Sequence, residues 1–280
     1  MALFIIYTGG IVFLVAVIVL SSLTLWEYYR LAKPKGVRAN YVFGIIANVG
    51  LLITFYYVYS NRPGCYYLIV FEMLIFAFLI FISELWRKRP NPLLNIAISF
   101  TGVLYITFAF SFFIGIRELH NVDLIPQHLS FLLSDMNFIF RIDKDWSAFF
   151  LIAIFTSVWV CDSGAYFIGS RFGKHKLFPR ISPKKSWEGA IGGFFTGTLG
   201  FVLMMYLFDK EFPLMHAIII GVIISVVGQF GDLVESMLKR DAGVKDSSAI
   251  LPGHGGFLDR FDSILAVVPP VYIYMFVFVL

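Results

Sequence analysis

Of the chain's 280 residues, 59% are hydrophobic and only 14% charged, against about a quarter charged in an ordinary soluble domain. That composition excludes a single water-exposed globular domain. Cys65 and Cys161 lie in different segments without metal-ligand spacing, so neither a disulfide framework nor a zinc site is suggested and both are expected to be inert thiols.

Windows of about 20 apolar residues, enough to cross a hydrocarbon core of about 30 Å, fall at 3–29, 41–60, 66–84, 93–116, 147–169, 189–208, 214–231 and 261–280. The expected fold is therefore all-α: a polytopic integral membrane helix bundle of about eight spans with a polar cavity on its cytoplasmic side. Residues 1–146 supply four spans and an external segment, and residues 147–280 supply the four spans expected to carry the chemistry. The N-terminus, MALFIIYTGG, has no basic n-region and its apolar run continues through Leu25, so it reads as a first span, long enough to tilt or kink. Pro269-Pro270 in the last span predicts a bend or a break there.

Orientation follows from the basic residues. The loops after the first, third, fifth and seventh spans hold 17 of the 22 Lys and Arg residues, and such loops face the cytoplasm. Both termini are then expected outside. The long external connection, 117–146, mixes apolar runs with charge and is expected to lie as an amphipathic segment on the outer surface.

Several acids fall inside or beside spans. Glu27 and Glu84 lie near cytoplasmic ends and are expected to be interfacial, whereas Glu72 has no evident role. Asp162, in VWVCDSGAYFIG, sits about seven residues before the cytoplasmic end of the fifth span, roughly 10 Å deep. An unpaired carboxylate at that depth costs several kcal/mol, which makes it a functional candidate.

Two polar loops stand out. Residues 170–188 read SRFGKHKLFPRISPKKSWE, in which Ser182, Lys184 and Lys185 lead into a helix start with Glu188. Hydroxyls, two lysines and a helix N-terminus form an anion-binding set, although basic residues that only orient the chain account for part of the pattern. Trp187 suits either a nucleotide base or, more commonly, the membrane interface.

The second loop, Asp232 to Asp262, packs six acids, four bases and a histidine into 31 residues. Asp232, Glu235, Ser236 and Lys239 recur at i, i+3, i+4 and i+7, so they share one face if the preceding helix continues. Asp259 and Asp262 share a face where the last span begins. Between them Pro252, Gly253, Gly255 and Gly256 flank His254, a run that breaks helix and lets backbone N–H groups approach a ligand closely.

Asp162, Asp232, Asp259 and Asp262 are all expected near the inner interface. Gathered there they would repel one another without a cation, which points to a hard divalent metal such as Mg²⁺. Lys239, Arg240, Lys245 and Arg260 suit phosphate oxygens. A metal, phosphate-binding cations and lipid-facing walls suit joining a water-soluble nucleotide to a lipid phosphate, by nucleotidyl or phosphoryl transfer.

The run from Ser236 to Asp262, SMLKRDAGVKDSSAILPGHGGFLDRFD, resembles the signature of the phosphatidate cytidylyltransferase (CDP-diacylglycerol synthase) family. Ser236, Lys239, Arg240, Lys245, Asp246, His254, Gly255, Gly256, Asp259, Arg260 and Asp262 fill the signature's named positions, and GDLVES, SPKKSWEG and the run from Asp162 to Tyr166 extend the likeness over the C-terminal half. The resemblance implies transfer of CMP from CTP to phosphatidate in a bacterial cytoplasmic membrane, with the active site facing the cytoplasm. It implies Asp232 and Asp259 as ligands of Mg²⁺, with Mn²⁺ as a substitute and room for a second, monovalent cation. Lys239, Arg240, Lys245 and Arg260 would bind phosphates, and Ser182, Lys184 and Lys185 would close on the nucleotide. Asp162, Asp246 and Asp262 would be further ligands or anchors for the bases, and His254 would bond phosphate or shape the loop. A homodimer fits the family habit, and no nucleic acid partner is implied. The alternatives are an integral-membrane polyprenol or phytol kinase and, in another class, a cation-coupled transporter, whose site belongs near the midplane.

Overall fold

The computed structural model describes residues 2–60, 65–121, 144–248 and 255–279. Residues 122–143, most of the expected external amphipathic segment, and Pro252, Gly253 and His254 lie outside them. Among the described residues, eight helices are long and apolar enough to cross a membrane, as the hydropathy pattern predicts.

The first expected span is two helices, α1 (Ala2–Thr8) and α2 (Gly10–Leu31). The break falls at Gly9 and Gly10, both at positive φ, a conformation glycine adopts without steric cost. Arg117 occupies the bend: its Nε donates to the Ile6 carbonyl at 2.7 Å and its guanidinium to the Tyr7 carbonyl at 2.8 Å. These are carbonyls that the end of α1 leaves without helical partners. The kink is thus built by one arginine from the fourth span.

Helices α3 (Tyr41–Tyr59) and α4 (Tyr66–Arg87) follow, then α5 (Pro92–Gly102), a π-helical turn over Val103–Thr107 and α6 (Phe108–Arg117), which together make the fourth span. Apolar faces alone do not fix register between helices in lipid, so polar side chains do it. Asn48 in α3 donates to Ser21 at 2.9 Å and Ser22 at 3.1 Å in α2, and accepts from Thr107 at 2.8 Å. Glu72, unexplained by sequence, accepts from Thr54 Oγ1 at 2.7 Å and so joins α4 to α3. Elsewhere α4 is sparsely covered, burying only Phe76 and Ile80. Glu84 pairs with Arg87 and accepts from Asn95 at 3.1 Å.

The C-terminal region contains α7 (Lys144–Phe172), a hairpin of β1 (Lys176–Phe178) and β2 (Ser182–Ser186), α8 (Trp187–Phe208), α9 (Leu214–Asp241) and α10 (Leu258–Phe278). The hairpin is the exception to the all-helical expectation; its strands pair antiparallel, Lys176 with Ser186 and Phe178 with Ser182. Helix α10 runs unbroken through Pro269 and Pro270. The prolines remove two backbone donors, but Val267, Val268 and Val271 are fully buried and hold the segment in place.

Small residues let these helices approach closely. A Cβ on Gly193 of α8 would meet the Cys161 carbonyl of α7 at 2.9 Å, and one on Gly231 of α9 would meet the Asp262 carbonyl of α10 at 2.8 Å. The second approach matters most, because Gly231 immediately precedes Asp232. The ends of several helices meet at one end of the bundle, where Lys35 after α2 pairs with Asp241 of α9 and Arg240 of α9 donates to Ile181 in the hairpin at 3.4 Å. At the loops after α2 and α4, Lys33, Arg38, Arg87 and Arg89 line a cavity of about 370 Å³.

Candidate active site

Helix α9 continues to Asp241 instead of ending near 231, so the face expected from the i, i+3, i+4, i+7 spacing exists. Along it Ser236 Oγ donates to Asp232 at 3.3 Å, and Lys239 pairs with Glu235 at 2.5 Å. Glu235 is fully buried, and a buried carboxylate without a cation is costly, so Lys239 is held there by charge.

Two groups of charges branch from this face. In one, Asp162 of α7, Asp232 of α9 and Asp262 of α10 lie close enough to act on one another as like charges. Lys185, from β2, reaches Asp232 at 2.5 Å. Successive strand residues point to opposite sides. Lys185 accordingly turns inward while Lys184 is exposed. Lys185 acts on Asp162 and Asp232, and Lys239, already paired with Glu235 and Asp259, acts on Asp262, so the acids outnumber the lysines.

In the other group Lys239 reaches Asp259 at 2.7 Å. Asp259 also accepts from Gly256 N at 2.7 Å, Ser247 N at 3.0 Å and Ser247 Oγ at 3.0 Å. Gly255, at φ 75°, has no space for a side chain, since its Cβ would fall 2.6 Å from Asp259 Oδ2. The glycines thus do bring backbone donors close, and in this structure the acceptor is Asp259.

Asp232 and Asp259 therefore have different immediate neighbours. Among the described residues no three His, Cys, Asp or Glu side chains are arranged tightly enough to enclose a metal ion. The donor chemistry still fits a hard cation, because the Asp162, Asp232 and Asp262 group offers carboxylate oxygens from three helices and surplus negative charge.

The remaining candidates are spread around the mouth of the site. Ser182 is half-buried at the start of β2, and Lys245 and Asp246 are exposed on the loop after α9. Arg240 is exposed and bonded to the Ile181 and Val244 carbonyls. Arg260 is exposed in the first turn of α10. Ser186 caps α8, accepting from Gly189 N at 3.2 Å, and Glu188 turns back to accept from Lys174 N and His175 N at 3.2 Å. That capping anchors the end of the strand that carries Lys185. Trp187 is exposed and, with Phe178, Ala190, Phe194, Phe230 and Leu233, bounds an apolar groove of about 250 Å³. This placement favours the membrane-facing role for the tryptophan.

Glu27, expected near the interface, is fully buried within the protein, accepting from Ser248 Oγ at 2.5 Å, Leu258 N at 2.8 Å and Ser247 Oγ at 3.0 Å. Its distance in sequence from these partners hid the contact; the only local signal was an acid at the end of an apolar run.

Comparison with known proteins matches residues 1–278 to the model of the Cytidylyltransferase family. Relatives include the phosphatidate cytidylyltransferase of Bacillus subtilis (strain 168), 31% identical over 277 residues that cover 99% of this chain and 93% of that protein. The phosphatidate cytidylyltransferase of Staphylococcus aureus (strain COL) is 32% identical, covering 93% of this chain and 88% of the relative. That of Haemophilus influenzae is 38% identical over 71% of this chain and 62% of the relative.

Proposed function

The chain belongs to the cytidylyltransferase family and is an integral-membrane nucleotidyltransferase, and from that membership and the site geometry we propose that it transfers CMP from CTP to phosphatidate. The observation that carries the reading is the Lys185 and Asp232 pair, with Leu233, the next residue of α9, and Trp187, two residues after Lys185, lining an apolar groove. A substrate that is lipid at one end and phosphate at the other fits that junction, and a water-soluble nucleotide reaches it from the open end of the bundle.

In the reaction an oxygen of the phosphatidate phosphate forms a bond to the α-phosphorus of CTP. The bond from that phosphorus to the bridging oxygen breaks, and pyrophosphate leaves with the electron pair. The attacking phosphate is already anionic, so the site needs positioning and charge neutralisation more than a strong base. Lys185 and Lys239 now balance carboxylates and would turn toward phosphate oxygens, with Arg240, Lys245 and Arg260 supplying further positive charge at the mouth. Asp232 and Asp259 are the proposed ligands for Mg²⁺, Asp232 with Asp162 and Asp262 offering further carboxylate oxygens beside it, and Asp259 once Lys239 turns to phosphate. Bound there, Mg²⁺ supplies charge neutralisation at the transferring phosphorus and the departing pyrophosphate. The site is proposed to face the cytoplasm, because its hairpin and loops carry the excess of basic residues.

The test incubates purified protein in mixed micelles with phosphatidate, Mg²⁺ and either CTP or ATP. Pyrophosphate formed with CTP alone supports the proposal. ADP formation would support a lipid kinase instead, and no turnover with either nucleotide would reject both. EDTA is expected to stop the reaction and excess Mg²⁺ or Mn²⁺ to restore it; activity indifferent to chelation would remove the metal from the scheme.

A further inference from the structure

The signature loop is fastened to the N-terminal half of the chain through one carboxylate. Glu27 lies on α2, outside every polar stretch of the C-terminal half, and is fully buried. Burying an ionised carboxylate costs several kcal/mol unless donors surround it. All the donors that Glu27 has among the described residues come from the signature: Ser247, Ser248 and the backbone N–H of Leu258. No lysine or arginine pairs with it among the described residues. The acid therefore grips both described ends of the loop that leads from α9 to α10.

The grip extends to the charges of the site. Ser247 Oγ stands 3.0 Å from Glu27 Oε2 and 3.0 Å from Asp259 Oδ2, so its one hydroxyl proton serves either acid. Asp259 in turn holds Lys239, which holds Glu235. A side chain on Gly256 would overlap both Ser247 Oγ and Glu27 Oε2, so the packing at this joint has no slack. Among the described residues no hydrogen bond or ion pair joins Glu27 to Lys239 or Asp259, and its link to them runs through Ser247.

We propose that Glu27 is a positioning residue for the transfer reaction, a carboxylate supplied by the first span that fixes the signature loop so that Asp259 and Lys239 stand in place for the substrate phosphates. The inference rests on the nucleotidyl-transfer reading for its rate consequences but not for the clamp itself. Because a displacement of about 1 Å in a reacting constellation costs on the order of a hundredfold in rate, Glu27→Ala should lower kcat by about that factor. KM for CTP should change much less, since loss of a transition-state interaction appears in kcat. Glu27→Gln keeps the size and one carbonyl oxygen for Leu258 N and Ser247, while its amide can donate to Ser248 Oγ. It should recover most of the lost rate.

The experiment measures kcat and KM for wild type, Glu27→Ala, Glu27→Gln, Ser247→Ala and the Glu27→Ala/Ser247→Ala double variant, with amide exchange of Gly256 and Leu258 followed in parallel. Support consists of the kcat loss in Glu27→Ala, its recovery in Glu27→Gln, a double-variant loss smaller than the product of the single losses, and faster exchange at Gly256 and Leu258. A Glu27→Ala enzyme with near-normal kcat and unchanged exchange overturns the proposal. So does a rate loss that follows the unfolded fraction alone and is not recovered by glutamine. If wild type makes no pyrophosphate but Glu27→Ala still frees the two amides, the substrate reading fails and the clamp stands.

Discussion

Asp232 and Asp259 are each balanced by a lysine that phosphate can compete for: Lys185 from the hairpin for one, Lys239 from α9 for the other. That pairing gives the site a resting state in which these two carboxylates each have a lysine partner within the protein, and substrate binding would exchange carboxylate partners for phosphate partners. Asp232→Asn removes charge from the group formed with Asp162 and Asp262 and should abolish turnover while leaving the fold intact, as judged by elution as a single species and unchanged helical circular dichroism. A near-normal rate would end its assignment as a metal ligand. Asp259→Asn should also abolish turnover. Because it also removes one of the two carboxylate partners of Lys239 and weakens the acceptor of Ser247, it should loosen the loop at Ser247, which amide exchange reports.

At the scale of elements, the hairpin and its junction with α8 decide where Lys185 points. Ser186 is at once the end of β2 and the cap of α8, and Glu188 closes back on Lys174 and His175. Loss of an N-cap hydroxyl costs about 1 kcal/mol, so Ser186→Ala should lower thermal stability in detergent modestly and reduce activity through Lys185. An unchanged melting temperature together with unchanged rate would show that the cap does not set the strand. Helix register elsewhere depends on a few polar contacts, such as Asn48 with Ser21, Ser22 and Thr107.

For the whole molecule, the orientation argued from basic loops requires the hairpin to face the cytoplasm. With Cys65 and Cys161 replaced, Lys184→Cys is expected to react with a membrane-impermeant maleimide in inside-out vesicles and to resist it in intact cells. Labelling from outside the cell would invert the topology. The two halves are joined at the site itself, since α2 meets the signature loop through Glu27 and the following loop meets α9 through the Lys35 and Asp241 pair.

The apolar windows determined eight spans because a membrane helix needs little more than length and hydropathy to be recognised. The spacing of Asp232, Glu235, Ser236 and Lys239 likewise determined one polar face, since helical periodicity is local. The signature from Ser236 to Asp262 was legible as a reaction type through its resemblance to a known family's motif. Only tertiary structure decided that Asp162 and Asp262 stand beside Asp232 while Asp259 turns to Lys239 and Ser247, and that Lys185 rather than Lys184 faces the acids. It also decided that Glu27 meets the signature loop and that Pro269 and Pro270 leave α10 unbroken. Those outcomes depend on close approach between helices far apart in sequence, at positions such as Gly231 and Gly256, and no local pattern encodes which distant surface fills the space a missing side chain leaves.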